Sequence, residues 1–295
     1  MVSHLLSSCR FKKRLLERDL GFSLADSPVM PHSASLESHS SKRARGHSSG
    51  EVRGYYRHVA PFYDLELADR GDEALWLWAA GSPAGCRVLE LGAGTGRATA
   101  FFACKAAWVV ATELAPEMIV LARRRLAGAA NVSLVLADMR ELELQARFDL
   151  VAAVDDPFVH LTADEDRQRA FAAAARHLAP GGRFILDGAW FPPHQRRAAA
   201  MKTGLIEEHG SRGLEVRQTW HCDPQTHLCD ASFEYSRRGE RLEEASFPAR
   251  LWSHEELTDR ARAAGLRVTH LWGDYDRRPW DRMASPHLIV EMRLG

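Results

Sequence analysis

Three glycines stand at alternate positions in LELGAGTGR, directly after an apolar run of strand length. Gly92, Gly94 and Gly96 leave the backbone bare where a ligand can approach it closely. The acid Glu90 precedes them, and Arg97 stands where a dinucleotide-binding loop of the G-x-G-x-x-G type has its third glycine. The spacing therefore predicts a cofactor loop that differs from the usual nicotinamide-binding loop.

Acidic side chains follow the next apolar runs in the same way. Glu113 lies near the end of WVVATEL and Asp138 ends VSLVLAD, while Asp155, Asp156 and His160 follow FDLVAAV. Parallel strands that are buried on both faces bring their carboxyl ends to one edge of a sheet, where such folds bind ligands. The acids and the glycine loop are therefore expected to surround one site.

The strands that must position these residues are five runs rich in Val, Leu and Ile, which alternate with helical segments. Pro116 predicts the start of one helix, and the capping boxes Thr162–Glu165 and Ser253–Glu256 predict the starts of two others. LRVTHLW and PHLIVEM then supply two more strands. This order is typical of an α/β fold with a doubly wound, seven-stranded sheet.

Residues 191–250 interrupt the alternation with a pattern of period two. Apolar and polar residues alternate in LEVRQTW and again in CDASFEY, with turn sequences DPQT and RRGE after them. The segment is predicted to be an inserted antiparallel β-meander that caps the site. We expect Trp220, Phe233 and Trp252 to line an apolar substrate pocket beneath it.

Together, these motifs resemble those of class I S-adenosylmethionine (SAM)-dependent methyltransferases, in order and over roughly residues 52–293. ELGAGTG matches the family's first motif, acid-x-G-x-G-x-G. The resemblance implies a Rossmann-like sheet with an antiparallel terminal hairpin and SAM as the cofactor. It also implies transfer of the methyl group to a nitrogen or oxygen of a small molecule.

The resemblance assigns contacts to the cofactor. Glu113 stands where the family's acid accepts hydrogen bonds from both ribose hydroxyls, and Asp138 with Met139 stands at the adenine. Arg97 corresponds to an arginine that reaches the methionine carboxylate in some members. The residues expected to contact SAM are Tyr63, Glu90, Gly92, Ala93, Gly94, Gly96, Arg97, Glu113, Leu114, Asp138, Met139 and Asp155.

YYRHVAPFYDLEL, which precedes the sheet, resembles the N-terminal helix and aromatic lid of small-molecule members. Tyr55, Tyr63 and Asp64 are the candidates in this segment. An aromatic face attracts a desolvated cation such as the SAM sulfonium, which gives Tyr63 a reason to contact the cofactor.

Because the sulfonium is already activated, the protein mainly orients the reactants and excludes water. A base is needed only where the attacking atom carries a proton at working pH. The candidates for a catalytic base are Asp155, Asp156 and His160, and Asp155 could equally bind the SAM amino group.

Three other functions stay open. DDPF is similar to the D-P-P-Y motif of nucleic-acid amino-methyltransferases, although one proline is missing. A SAM-binding protein without turnover would keep Glu90, Glu113 and Asp138. A nicotinamide oxidoreductase would use the same sheet, but Arg97 and the terminal hairpin argue against it.

The composition limits the partners of this 295-residue chain. Its 39 Lys and Arg residues balance 39 Asp and Glu residues, and no apolar run approaches the roughly 20 residues of a membrane span. We therefore expect a small-molecule substrate, no membrane and no nucleic acid, with a homodimer as one possible assembly. Residues 1–49 are predicted to be a disordered extension and residues 50–295 the methyltransferase domain, with Met30 as an alternative start to Met1.

The five cysteines are few, odd in number and scattered, which favours a reducing, cytoplasmic compartment. HCDPQTHLC offers His221, Cys222, His227 and Cys229 as zinc ligands, but six residues separate the two cysteines, more than structural zinc sites use. We expect two thiols on facing hairpin strands and no bound metal.

Overall fold

The computed structural model describes residues 49–67, 70–81, 85–211 and 213–295. Apart from Ser49, the extension predicted to be disordered lies outside the described residues, as does Met30. Ser49 is the first residue of a helix.

The main sheet has seven strands in the order β10–β11–β5–β4–β1–β2–β3. Strands β1 to β5 are parallel, β11 is antiparallel to β5, and β10 is antiparallel to β11. This confirms the predicted doubly wound sheet and its terminal hairpin. The strands are β1 (Arg87–Leu91), β2 (Trp108–Glu113), β3 (Val132–Leu136), β4 (Phe148–Ala153), β5 (Leu178–Gly188), β10 (Leu266–Trp272) and β11 (Leu288–Leu294).

Helices cover both faces of this sheet, which is why the central strands β1 and β4 are buried almost throughout. The helices are α1 (Ser49–Glu66), α2 (Glu73–Ala80), α3 (Arg97–Ala103), α4 (Pro116–Arg125), α5 (Asp164–Arg176), α6 (Pro193–Ala199) and α7 (His254–Ala263). A short 3-10 helix spans Pro157–His160.

Two of the three predicted helix starts are confirmed. Pro116 is the first residue of α4, and the Ser253 hydroxyl accepts a hydrogen bond from Glu256 N at 3.0 Å at the start of α7. The Thr162–Glu165 box is wrong. Helix α5 begins at Asp164 after Ala163, so Thr162 lies too early in the chain to be its N-cap.

The inserted segment forms a second, four-stranded antiparallel sheet in the order β6–β7–β8–β9, as the meander prediction expected. Its strands are β6 (Leu205–Ser211), β7 (Leu214–Cys222), β8 (Leu228–Arg237) and β9 (Glu240–Arg250). Strand β6 was not expected, because its sequence lacks a clear apolar alternation.

The expectation of two free thiols in this sheet is wrong. Cys222 and Cys229 face each other across β7 and β8 with their Cα atoms 4.0 Å apart, and they form a disulfide. The close pairing across an antiparallel hairpin brings the two sulfur atoms within bonding distance. As a disulfide they cannot serve as the thiolate zinc ligands that were considered.

Two absences concern the described ranges only. Within them, no group of three or more His, Cys, Asp and Glu side chains is arranged to hold a metal ion. No helix in those ranges combines the length and apolar character that a membrane span requires.

Helix α1 connects the two sheets. One stripe of its residues, including Tyr55 and Val59, packs in a common apolar cluster with the meander. A neighbouring stripe at helical spacing, Val52, Tyr56 and Tyr63, faces a pocket at the main sheet. The helix therefore covers the carboxyl edge of the main sheet while it supports the meander.

Candidate active site

A pocket lies at the carboxyl ends of β1, β2, β3 and β4, beneath α1. Nine of the residues predicted for the site line it, namely Tyr63, Gly92, Gly94, Glu113, Leu114, Asp138, Met139, Asp155 and His160. Its other lining residues are Val52, Tyr56, Thr112, Ala137, Arg140, Val154, Pro157 and Leu161. Five predicted residues, Glu90, Ala93, Gly96, Arg97 and Asp156, do not line it.

The glycine loop owes its composition to close contacts with the protein as well as to the pocket. Gly92 has φ +72°, and a Cβ atom built on it would lie 2.3 Å from Cβ of Pro157. Gly96, at φ +78°, would meet Cδ1 of Leu126 at 2.9 Å. Gly94 faces the ring of Tyr63, whose Cε1 would lie 3.4 Å from such a Cβ. The loop is thus pressed between α1, α4 and the residues that follow β4.

Glu113 holds the end of β2 against this loop. Its Oε2 accepts a hydrogen bond from Gly94 N at 2.9 Å, and its Oε1 accepts from the backbone N–H groups of Leu114 and Ala115, both at 2.8 Å. Burial raises the pKa of Glu113, and these three donors oppose that effect. The carboxylate therefore has a fixed orientation at the pocket wall.

Asp138 is fixed in a similar way at the end of β3. Arg140 donates to both of its carboxylate oxygens, and the Ser49 hydroxyl donates to Oδ2 at 2.9 Å. Arg140 also pairs with Asp166 at 2.7 Å. Burial raises the pKa of Asp138, but the hydrogen bonds from Arg140 outweigh it and lower that pKa to about 2. The start of α1 is thereby joined to the pocket edge.

Asp64 joins the far end of α1 to the glycine loop. Its carboxylate accepts a hydrogen bond from the Thr95 hydroxyl at 2.5 Å and pairs with Arg125 at 2.8 Å. Arg125 also donates to the Thr95 carbonyl at 3.2 Å. The lid residue that the sequence indicated is thus a clamp between α1, the loop and α4.

Tyr56 and His160 form a polar pair on the pocket wall. The Tyr56 hydroxyl lies 2.8 Å from Nε2 of His160, and their rings meet edge to face at 5.3 Å. Phe247 of the meander packs against the His160 ring at 4.5 Å, and burial raises the pKa of Tyr56 well above its ordinary value. Sequence reasoning missed Tyr56, although its spacing of seven residues from Tyr63 places both on one helix face.

Asp155 and Asp156 diverge although they are adjacent. Both have positive φ, 59° and 34°. The Asp155 side chain reaches the pocket, where Arg70 Nη2 lies 2.5 Å from its Oδ1. The Asp156 side chain turns into the core instead.

The Asp156 carboxylate accepts hydrogen bonds from Ala189 N at 2.6 Å, Trp252 Nε1 at 2.9 Å and Phe158 N at 3.1 Å. Burial raises its pKa to about 7. Asp156 therefore anchors the turn that follows β4 to the end of β5. This predicted base does not reach the pocket.

Glu90 and Arg97 lie behind the glycine loop. Glu90 is 1% exposed, accepts a hydrogen bond from the Thr99 hydroxyl at 2.6 Å, and has its pKa raised to about 8 by burial. Arg97, which the resemblance assigned to the methionine carboxylate, donates instead to both oxygens of Asp72 at 2.6 and 2.8 Å. Both side chains are committed to the fold around the loop.

The aromatic residues expected to line the substrate pocket do not line it. Trp252 lies beyond the last strand of the meander and is fully buried in the main core against Phe158 and Phe171. Its indole N–H donates a hydrogen bond to Asp156, which holds the side chain there. Trp220 and Phe233 lie in the cluster between the meander and α1.

Comparison with known proteins identifies methyltransferases that share this fold. A family model described as a methyltransferase domain matches residues 88–182. A dTDP-4-amino-2,3,4,6-tetradeoxy-D-glucose N,N-dimethyltransferase of Saccharopolyspora spinosa is 25% identical over 224 residues, which cover 72% of this chain and 87% of that enzyme.

Two solved structures cover most of the chain. The CcbJ methyltransferase from Streptomyces caelestis has a TM-score of 0.70 and 25% identity, with 82% of this chain and 98% of that chain covered. CalS10, an amino pentose methyltransferase from Micromonospora echinaspora with SAM bound, has a TM-score of 0.56 and 26% identity, with 87% and 100% covered.

These similarities favour the main prediction over a nucleic-acid methyltransferase, a protein without turnover and an oxidoreductase. They agree with a glycine loop followed by fixed acids at the ends of β2 and β3. The chain is similar to SAM-dependent methyltransferases over most of its length, and it transfers the methyl group of SAM to a nitrogen or oxygen of a small molecule.

Proposed function

We propose that the substrate is an amino sugar or a similar polyhydroxylated amine, and that the chain methylates its nitrogen. The observation that carries this proposal is the Tyr56–His160 pair, whose polar atoms meet at 2.8 Å on the pocket wall. An amine is mostly protonated near neutral pH and must lose a proton before its lone pair can attack a methyl group. Histidine is the side chain best suited to that proton transfer.

In this proposal Tyr56 and His160 act as a relay. A proton of the substrate ammonium passes to the Tyr56 oxygen as the Tyr56 hydroxyl proton passes to Nε2 of His160, which becomes protonated. The freed nitrogen lone pair would then form its bond to the methyl carbon as the sulfur–methyl bond breaks and the sulfur keeps that electron pair. Asp155, which also lines the pocket, accepts a second hydrogen bond from the substrate amine and orients that lone pair.

The pocket residues fit SAM. Glu113, which is buried and rigidly held, would receive the ribose hydroxyls, and Asp138 and Met139, which line the pocket, would contact the adenine. The bare backbone at Gly92 and Gly94, which also lines the pocket, would hold the methionine portion. When bound, SAM supplies a methyl group on a positively charged sulfur, and the face of Tyr63 stabilises that charge.

The names of the similar proteins support the substrate class. The Saccharopolyspora enzyme is an N,N-dimethyltransferase of a dTDP-linked amino sugar, and CalS10 is an amino pentose methyltransferase. Both act on amino sugars, and both are similar to this chain over most of its length.

The experiment pairs amine and alcohol substrates. Purified protein with SAM is incubated with dTDP-amino sugars and with the matching dTDP-sugars that carry a hydroxyl in place of the amine. We expect mass spectrometry to show one or two added methyl groups on the amines alone. Methylation of the hydroxyl compounds without the amines would overturn the proposal.

The proposal also includes two sequence predictions, a cytoplasmic location and a homodimer. Light scattering coupled to size-exclusion chromatography tests the second of these.

A further inference from the structure

A chain of polar groups extends from Asp155 into a part of the protein that the proposed mechanism does not use. Arg70 pairs with Asp155 at 2.5 Å, and its Nε donates to the Tyr275 hydroxyl at 3.1 Å. That hydroxyl in turn donates to Oδ2 of Asp187 at 3.1 Å. Arg70 Nη2 lies 3.8 Å from the same Asp187 oxygen.

The four hydrogen-bonded residues, Arg70, Asp155, Asp187 and Tyr275, come from four separate segments of the sequence. Arg70 lies between α1 and α2, Asp155 follows β4, Asp187 lies near the end of β5, and Tyr275 lies in the connection between β10 and β11. No local turn or helix contact explains their convergence. These polar side chains therefore link the pocket wall to the antiparallel edge of the sheet.

Burial makes this arrangement rigid at its far end. Asp187 is 2% exposed and Tyr275 is 8% exposed, and the Tyr275 ring packs against His287 at 4.4 Å. Burial raises the pKa of Asp187, while Arg70 opposes that effect. Arg70 is thus held by two groups that cannot move far, and it presents its guanidinium to Asp155.

Asp155 needs such support because its backbone is in the left-handed region, with φ 59°. Aspartate tolerates that conformation better than most residues with a Cβ atom, but it still costs conformational energy that the surrounding contacts offset. The next residue, Asp156, also has positive φ, so the turn has little intrinsic preference for this shape. Arg70 is the ion-pair partner that fixes the Asp155 side chain.

We propose that Arg70, Tyr275 and Asp187 form a positioning chain that sets the Asp155 carboxylate for the reacting amine. The connection between β10 and β11 thereby becomes part of the active site. This inference rests on the proposed function in one respect, that Asp155 contacts the substrate.

The test compares Tyr275→Phe, Arg70→Met and Arg70→Lys with wild type, using a dTDP-amino sugar as substrate. Tyr275→Phe keeps the ring and removes only the hydroxyl, so we expect kcat/KM to fall about tenfold. Arg70→Met should lower it about a hundredfold through misplacement of Asp155, and Arg70→Lys should recover part of that loss. SAM affinity, measured by calorimetry, should stay within about twofold of wild type in each variant.

The matched control is Arg278→Gln, an exposed arginine in the same connection that pairs with Asp276. We expect it to retain wild-type kcat/KM. Loss of activity in this control as large as in Tyr275→Phe would overturn the proposal, since any disturbance of the connection would then suffice.

A double-mutant cycle separates positioning from general stability. If the chain acts through Asp155, Tyr275→Phe should cost nothing further in an Asp155→Asn background. Full additivity would overturn the positioning proposal, as would loss of SAM affinity in the Arg70 variants, which would make Arg70 a cofactor ligand. If Asp155→Asn itself keeps wild-type kcat/KM, the role given to Asp155 under the proposed function fails, and the positioning proposal fails with it.

Discussion

Glu113 and Gly94 are joined by a hydrogen bond of 2.9 Å from the glycine N–H to the carboxylate, so β2 and the glycine loop hold each other in place. The same carboxylate is proposed to receive the ribose hydroxyls. One side chain would thus both shape the loop and bind the cofactor.

Glu113→Ala should weaken SAM and its demethylated product by similar factors, about 10-fold to 100-fold, because the ribose contact does not change during the reaction. Calorimetry with both ligands checks this. Glu141→Gln, an exposed residue paired with Arg169, is the control. Wild-type affinity in Glu113→Ala would contradict the ribose assignment.

Tyr56→Phe and His160→Gln should each lower kcat by about 100-fold, because each removes one member of the proposed proton relay. SAM affinity should be retained. Steady-state kinetics as a function of pH provides the measurement, and the loss should shrink at alkaline pH, where more of the amine is already deprotonated.

His58→Gln is the control for both variants. His58 lies on α1, as Tyr56 does, but it is exposed and pairs with Glu243. If His160→Gln shows the same loss at every pH, His160 does not take part in proton transfer.

Gly92→Ala should destabilise the protein by about 3 kcal/mol or more, because the new methyl group collides with Pro157 and the backbone has φ +72°. Gly181→Ala is the matched control. It has φ +77° but no atom within 4 Å of the added Cβ, so it should cost only about 1–2 kcal/mol. Urea denaturation measures both, and equal losses would show that backbone strain alone accounts for the effect.

Glu90→Gln should change how stability depends on pH. The pKa of Glu90 is raised from 4.5 to about 8, so between these values the folded protein holds a proton that the unfolded chain releases. The stability contributed by Glu90 is complete below pH 4.5 and is lost as the pH rises to about 8.

The glutamine side chain does not titrate. The free energy of unfolding of the variant, relative to that of wild type, should therefore rise with pH by up to about 1.4 kcal/mol per pH unit across that window. Denaturation at several pH values checks the slope. Parallel stability curves for the two proteins would show that Glu90 titrates normally.

Much of the fold could be read from the sequence, because buried parallel strands leave continuous runs of Val, Leu and Ile. The pocket residues that follow strand ends, such as Glu113 and Asp138, could be found for the same reason. Their position depends only on where a strand stops.

Residues that act through helix phase or distant contacts were harder to predict. Tyr55 and Tyr56 are adjacent, and only the packed helix shows that Tyr56 meets the pocket while Tyr55 meets the meander. Trp252 follows an alternating segment, yet its side chain enters the main core. The contact of Arg70 with Tyr275 spans 205 residues and leaves no local pattern.

Helix α1 is made early during synthesis, long before the groups that hold it. The hydrogen-bond partner of Ser49, Asp138, is synthesised 89 residues later, and the partner of Glu66, Tyr235, is synthesised 169 residues later. A nascent chain therefore carries α1 with its meander-facing stripe, including Tyr55 and Val59, uncovered until the meander has been translated. Shortened translation products that end before the meander would keep the contacts of α1 with the main sheet but would expose this apolar stripe of the helix.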